Sequence, residues 1–446
     1  MSELPRRALT PKVGVGALSS PLEVGADRAP AAAQALAAVL TEAGCEVVEL
    51  GPLDTPAKAT SAGRRLAEEH VDALALAVAS WHEDYLALDL IEECPVPLVL
   101  WPLPGMETGA LCGTQQLTCY LKQLAHPYRA VFGQADDAGC LRRAMSYLRA
   151  AALKGRLRRA RVGSAGHRIG GMTHTAPNEF MLKKVIGPRV VPLDLTMMLE
   201  RASQVPEAEA LRLWRHLCAG AGACRASEQD GVRAMQVYAA VKDLVEESDL
   251  DALTIGCYPH LMGRVCLAAS LLADQGVPLA CEGDVHGAVA QLMLTLLTGR
   301  PTHNTDWLDP AGEHEVVFTH CGSGSFSLAR DPAQIELAPV RLMDQGVCAL
   351  FPARPGPVTL IGLLARPEGY QCALMEGEAV ESEMVFPGNP LQVRFERSVG
   401  ELVDWVFEEG IAHHWMAGYG HVAQEVRDWA GILGGGLRLL EPQSMG

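Results

Sequence analysis

The chain is poor in aromatic residues, at 5% of its 446 positions, and poor in positive charge, with 37 Lys and Arg against 53 Asp and Glu. Few aromatics argue against platforms for stacking bases. The formal net charge of −16 repels phosphate backbones, so nucleic acid is not an expected partner. No uninterrupted apolar run reaches the roughly 18 residues that a membrane helix needs, which argues against a membrane-embedded chain. The opening MSELPRRALTPKVGVGALSS lacks the apolar core of a secretory signal. Nor is there a CxxC pair among the 13 cysteines, so a zinc ribbon is not expected. Their odd number, scattered through apolar segments such as LIEEC and VCLAAS, fits reduced thiols in the cytoplasm better than a disulfide framework.

What the chain does have is apolar surface to bury. With 49% hydrophobic and 20% charged residues it is globular, and its length calls for two or three domains. The first stretch alternates KVGVGAL, PAAAQALAAVLTEAG, CEVVELG, TPAKATSAGRRLAEEH and VDALALAVAS, a strand–helix–strand–helix–strand order, with PVPLVLW as a further buried strand. Such alternation implies a parallel sheet covered by helices on both faces. The basic stretch LRRAMSYLRAAALKGRLRRARVG reads as a solvated connecting helix. Beyond it the same grammar repeats, from ARVGSAG through DALTIGCY to VPLACEG. After about residue 300 the texture changes to short β-like runs punctuated by Gly, Pro and Ser, as in an antiparallel barrel or sandwich, and helical character returns from ELVDWVFEEG onward. The expected architecture is therefore α/β: two Rossmann-like doubly wound parallel-sheet domains, 1–157 and 158–298, then an antiparallel β-rich, barrel-like domain, 299–446.

Chemistry concentrates in three places. VPLACEGDVHGAVAQLMLTLLTG reads as a buried strand, a tight turn and a helix, with Glu282 and Asp284 at the strand's carboxyl end, where open α/β sheets place their ligand sites. Asp284 suits the helix N-cap. Glu282 has no such local use, and a carboxylate in an apolar strand needs a cation or donor partner. Asp306 follows 24 positions later in GRPTHNTDWLD. A helix of about 14 residues travels roughly 20 Å outward and about seven extended residues return the chain, so Asp306 either converges on Glu282 or opens a turn. The third place is GIAHHWMAGYGHVAQEV, with His413, His414 and His421. Neighbouring residues on a regular element face different ways, so His413 and His414 are not expected to ligate one ion together. RVGSAGHRIGGMTHTAPNEF fits neither the P-loop nor the dinucleotide fingerprint, and its Arg168 carries a guanidinium that suits a carboxylate, sulfonate or phosphate. Cysteines near strand ends, among them Cys281 and Cys321, keep a two-thiol racemase open as an alternative enzyme.

C-E-G-D paired with T-D-W 24 positions on, followed by a late H-x6-H, resembles the L-fucose isomerase and L-arabinose isomerase superfamily, most closely its fucose isomerase side. The resemblance implies Glu282, Asp306 and His414 as ligands of Mn²⁺ or another divalent cation. It also implies Glu282 and Asp306 as base and acid in moving a proton between adjacent carbons of a small-molecule sugar. Trp81 is similar to a strand-end Trp with which such enzymes close the neighbouring subunit's site, which implies a homo-oligomer, trimer or hexamer, with the active site at a subunit interface. His413 stands where the family tends to have Asn, Gly16 where it has an Arg, and the chain is shorter than the longer fucose isomerases. The expected sugar is accordingly a hexose, a deoxyhexose or a modified sugar, with or without an anionic group, faced by a loop that resembles the family's substrate loop and contacted by Trp81, Arg168, His413 and Asp284. A sugar-binding or sensory module on the same fold is the competing reading.

Overall fold

Residues 9–442 are described in the computed structural model, so the reading of the chain start falls in part on residues 1–8, outside the described residues. The chain forms two units. The first comprises Leu9–Arg156 and Gln424–Gly434. Its strands β1 (Lys12–Leu18), β2 (Glu46–Leu53), β3 (Ala73–Val78), β4 (Leu98–Pro102) and β5 (Tyr128–Ala130) form one parallel sheet in the order β2-β1-β3-β4-β5. β3, ALALAV, is buried at every position because helices cover both faces. The helix Pro56–Glu68 begins where the pattern predicts: Thr55 accepts from the Lys58 amide and Pro56 fills the first helical position. Order reverses at β1 and β3, and the loops at their carboxyl ends are knit together. The Ser20 amide donates to Ser80 Oγ at 3.1 Å, Ser80 Oγ to the Trp81 carbonyl at 2.8 Å, and the Trp81 indole to Gln116 at 3.3 Å.

The C-terminal helix Ala423–Leu433 joins this unit through Asp428. Its carboxylate, 4% exposed, accepts from Ser146 Oγ at 2.9 Å and pairs with Arg129.

The second unit comprises Leu157–Ala423 and the described residues from Gly435 onward. β6 (Arg161–Ala165), β7 (Arg189–Leu193), β9 (Ala252–Ile255) and β10 (Leu279–Ala280) make another parallel sheet, ordered β10-β9-β6-β7. The short β8 (Ala223–Cys224) pairs instead with the hairpin of β13 (Glu336–Val340) and β14 (Gln345–Leu350). A seven-stranded sheet follows from β11 (Thr302–Pro310), β12 (Glu315–Thr319), β15 (Gly356–Arg366), β16 (Gly369–Val380), β17 (Leu391–Arg394), β18 (His414–Tyr419) and β19 (Leu437–Leu440). Its order is β15-β18-β11-β12-β17-β16-β19, and β15 also pairs with β16, so six antiparallel strands close a ring. β19 is added parallel to β16. The architecture is thus mixed α/β, with two parallel sheets and a β-rich portion in the C-terminal part.

The helix Val285–Thr298 is buried from Val285 through Leu297 and packs against β9 and β10 as well as β11, β15 and β18. Its apolar side chains run all round, as a core helix requires. It stops at Gly299, whose φ of 64° is the left-handed conformation that glycine adopts freely.

The thiols depart from expectation at one pair. Cys218, near the end of the helix Glu207–Gly220, and Cys224 in β8 form a disulfide, because the tight return between the two elements brings their Cα atoms to 5.7 Å. The other cysteines are free. No helix among the described residues is long and apolar enough to cross a membrane.

Candidate active site

β10 ends at Ala280 and the turn Cys281–Asp284 leads into the helix Val285–Thr298. Within it Glu282 has φ 66°, a left-handed conformation unusual for a residue with a Cβ, and Gly283 follows at φ 74°. Glycine is needed at 283, where a Cβ would lie 2.7 Å from the His167 carbonyl oxygen and 2.8 Å from Arg168 Cα. The Gly-rich loop after β6 therefore rests directly on the Glu282 turn.

Asp306 and His414 arrive by a different route. They are direct partners across the antiparallel pair of β11 and β18, so their side chains share one face. On its other side Asp306 pairs with Thr319 of β12, which sets His320 next to the same point. Asp306 is thus strand-borne; it does not open a turn.

The side chains converge on the His414 imidazole. Its Nδ1 lies 2.8 Å from Asp284 Oδ2, and its Nε2 lies 3.1 Å from Glu282 Oε2 and 3.7 Å from Asp306 Oδ1. His320 Nε2 is 3.9 Å from Asp306 Oδ2. Side-chain exposure rises from 3% at His414 and 6% at Asp284 to 17% at Glu282 and 32% at Asp306, so the last two carboxylates face the open side. Burial opposes charge on His414, yet the hydrogen bonds to Asp284 and Glu282 lift its pKa to about 10. Burial likewise opposes charge on Asp284, and His414 nonetheless holds its carboxyl below the ordinary range.

Asp284 occupies the N-cap position but makes no side-chain cap bond; its carboxylate is turned to His414 instead. The capping expectation is corrected accordingly. The reading that His413 and His414 face apart also needs revision. β18 starts at His414, so strand alternation does not govern His413, whose ring centroid lies 4.3 Å from that of His414, tilted by 44°, with Nε2 4.0 Å from Asp306 Oδ1. His421 lies beyond the opposite end of β18, where it pairs with Glu378 at 3.0 Å and Glu376 at 3.6 Å. Arg168 is half-buried, donates to its neighbour's carbonyl at Ile169, and lines a cavity of about 850 Å³ with Ser164, His167, Asp194 and Gly283. Trp81 belongs to the first unit, after β3.

Three histidines at this place were not singled out as ligands from the sequence. His320 carried a signal, standing directly after a strand in HCG. His174 sits in a single 3₁₀ turn, Thr173–Thr175, with its ring 5.2 Å from that of His413, and His286 lies within an apolar helix with Nδ1 3.9 Å from Asp284 Oδ1. Neither has a local pattern that marks it.

The donor set fits a divalent cation. Glu282, His320 and His414 offer ligand atoms within 4.8 Å of one another, as do Asp306, His413 and His414. Asp306 Oδ1 is buried with no hydrogen-bond partner, as is Asp284 Oδ1. Unpartnered carboxylate oxygens beside imidazole nitrogens are the oxygen and nitrogen donors that divalent cations take.

No family model matches the chain. It is similar to proteins named sulfoquinovose isomerase. That of Alkalicoccus urumqiensis is 27% identical over 352 residues, covering 76% of this chain and 79% of that protein. That of Priestia megaterium (strain ATCC 12872 / QMB1551) is 24% identical over 351 residues, with 76% and 78% covered. That of Clostridium sp. (strain MSTE9) is 25% identical over 358 residues, with 76% and 79% covered.

Proposed function

We propose that the chain is a sugar isomerase, an intramolecular oxidoreductase that interconverts an aldose and a ketose, and that its substrate is an anionic, sulfonated hexose. The observation that carries this reading is the meeting of Glu282, from the turn before the helix Val285–Thr298, and Asp306, from the strand after it, at the Nε2 side of His414, with Asp306 Oδ1 unpartnered. The names of the relatives support the reaction class and make sulfoquinovose the first sugar to test.

Glu282, Asp306 and His414 would hold the divalent cation, Mn²⁺ by preference. When bound it supplies Lewis-acid stabilisation of the negative charge that develops on two adjacent sugar oxygens. The chain's own groups do the rest. Glu282 and Asp306 are the more open carboxylates, and as base and acid they move the proton between adjacent carbons while the oxygens exchange carbonyl and hydroxyl roles. Asp284, closed off behind the imidazole, fixes the His414 ring through Nδ1 and so aims Nε2 at the two carboxylates. Arg168, held against the Glu282 turn by the Gly283 contact, supplies a guanidinium suited to a sulfonate, and His413 contacts the sugar from the half-exposed rim.

The test is ketose formation, followed by NMR with added Mn²⁺, from sulfoquinovose and from neutral aldoses of the same size. Turnover of the sulfonated sugar alone supports the reading; turnover of neutral sugars only would remove the anionic substrate, and none at all the isomerase. We further infer a homo-oligomer, trimer or hexamer, with Trp81 supplied to the site of an adjacent subunit. Light scattering that finds a monomer at micromolar concentration overturns that assembly.

A further inference from the structure

The proposed reaction leaves unused a cluster of sulfur groups behind the Glu282 turn. Cys257 follows β9, Cys266 opens the helix Cys266–Asp274, Cys281 follows β10 and Cys321 follows β12, so four separate elements of one unit deliver them. Cys257, Cys266 and Cys281 are 3%, 1% and 2% exposed, Cys321 is partly buried, and all four are free thiols. Cys281, Cys321 and His320 bring Sγ, Sγ and a ring nitrogen within 4.8 Å of one another. Cys257 neighbours Cys281, and Cys266 neighbours Cys321.

A buried cysteine is ordinarily a small apolar side chain with a weak donor. Four that meet beside an imidazole form a donor set of a different kind. His320 divides it from the carboxylates: its Nδ1 lies 3.2 Å from Cys321 Sγ, and its Nε2 points the other way, 3.9 Å from Asp306 Oδ2. One face of the ring thus offers soft sulfur and the other hard oxygen. Thiolates with imidazole select zinc-like ions, whereas carboxylates suit Mn²⁺ or Mg²⁺.

We propose that Cys281, Cys321 and Nδ1 of His320, flanked by the thiols of Cys257 and Cys266, form a binding site for a thiophilic d10 cation of the Zn²⁺ class. On binding, two protons leave the Cys281–Cys321–His320 trio for solvent, so that both sulfurs bond to the metal as thiolates and His320 bonds through Nδ1 as a neutral imidazole; nothing is oxidised or reduced. The site stands whether or not the chain isomerises a sugar, since it is read by metal binding alone.

The experiment uses the full chain, stripped with a chelator and supplied with excess Mg²⁺ to occupy oxygen sites, in a background carrying Cys112→Ser and Cys119→Ser to remove the two exposed free thiols. Titration with Cd²⁺ should raise an ultraviolet thiolate-to-cadmium charge-transfer band that saturates at one equivalent. Cys321→Ser should weaken Cd²⁺ binding on the order of tenfold or more, with Cys281→Ser at least as damaging. Zinc-loaded protein with no further substitution gives an independent readout by X-ray absorption: sulfur at about 2.3 Å and nitrogen at about 2.0–2.1 Å are expected in the first shell. A band that persists unchanged in Cys281→Ser/Cys321→Ser, or a zinc shell of oxygen and nitrogen alone, overturns the proposal even if those variants fold poorly.

Discussion

At the carboxyl end of β3, polar groups find one another: Ser80 takes the Ser20 amide and gives its own proton to the Trp81 carbonyl, and the Trp81 indole is bound by Gln116. At the carboxyl end of β10 the corresponding turn is left-handed at Glu282, and oxygens of Asp284 and Asp306 are buried without partners. Both ends belong to parallel sheets built from the same strand–helix alternation. The difference shows where each unit spends its polar groups. Satisfied hydrogen bonds hold a loop, whereas backbone strain and unpartnered oxygens persist only where something else over-determines them, and a ligand is the economical explanation. His82 interrupts the first pattern, since its Nε2 is buried without a partner; burial lowers its pKa, so it stays neutral.

The largest effect that would break this comparison is on Glu282. Glu282→Gln preserves shape and the turn, so thermal unfolding should barely change, while kcat for ketose formation should fall on the order of 10³-fold or more, the upper part of what one general base contributes. Near wild-type turnover would mean that the strained end is no more functional than the satisfied one.

Acid should act through the barrel. His303, in β11, is fully enclosed, and burial together with the Arg354 charge pushes its pKa from 6.5 down to about 3. The unfolded chain binds this proton below pH 6.5 and the folded chain does not. The stability that His303 contributes is therefore fully present above pH 6.5 and is lost as pH falls toward 3, by about 4–5 kcal/mol at the limit. Urea unfolding between pH 7 and 4 measures the slope, and His303→Gln should flatten it.

Asp284→Asn separates a cap from a positioning residue. Asparagine caps a helix about as well as aspartate, so a capping role leaves everything unchanged. Loss of the charged partner of His414 Nδ1 should instead weaken Mn²⁺ binding by roughly 10–100-fold with little change in unfolding temperature. A Mn²⁺ titration followed by electron paramagnetic resonance reads this without reference to turnover.

The smallest effect belongs to the satisfied end. Ser80→Ala removes one of the two acceptors of the Ser20 amide, which keeps the Trp81 carbonyl at 3.2 Å, and should lower unfolding stability by only about 0.5–1 kcal/mol, read as a shift in the urea midpoint. A change of several kcal/mol would show that the loops of the first sheet carry more than local hydrogen bonds.

Much of this was legible along the chain because it rests on local periodicity. ALALAV announces a strand buried on both faces, and VHGAVAQLMLTLLTG announces a core helix with its glycine stop. Glu282 was legible as a carboxylate without a local partner, and Asp306 as a residue that an outward helix and a returning strand bring back. His174 and His286 were not, because their neighbours in sequence take no part in the contacts that matter. Asp284 was misread for the same reason: its position is that of a cap, and the residue that claims its carboxylate lies 130 positions away.

By itself the sequence determined the alternation of strands and helices, the change to β-rich texture after residue 300, and the carboxylates placed at a strand's carboxyl end. Those follow from side-chain periodicity and turn chemistry, which act over a few residues. Only the tertiary structure decided that β15 closes on β16, that Asp306 and His414 stand opposite each other, and that four thiols meet on the far side of His320. Register and closure depend on which distant surfaces bury each other, and no local pattern encodes that choice.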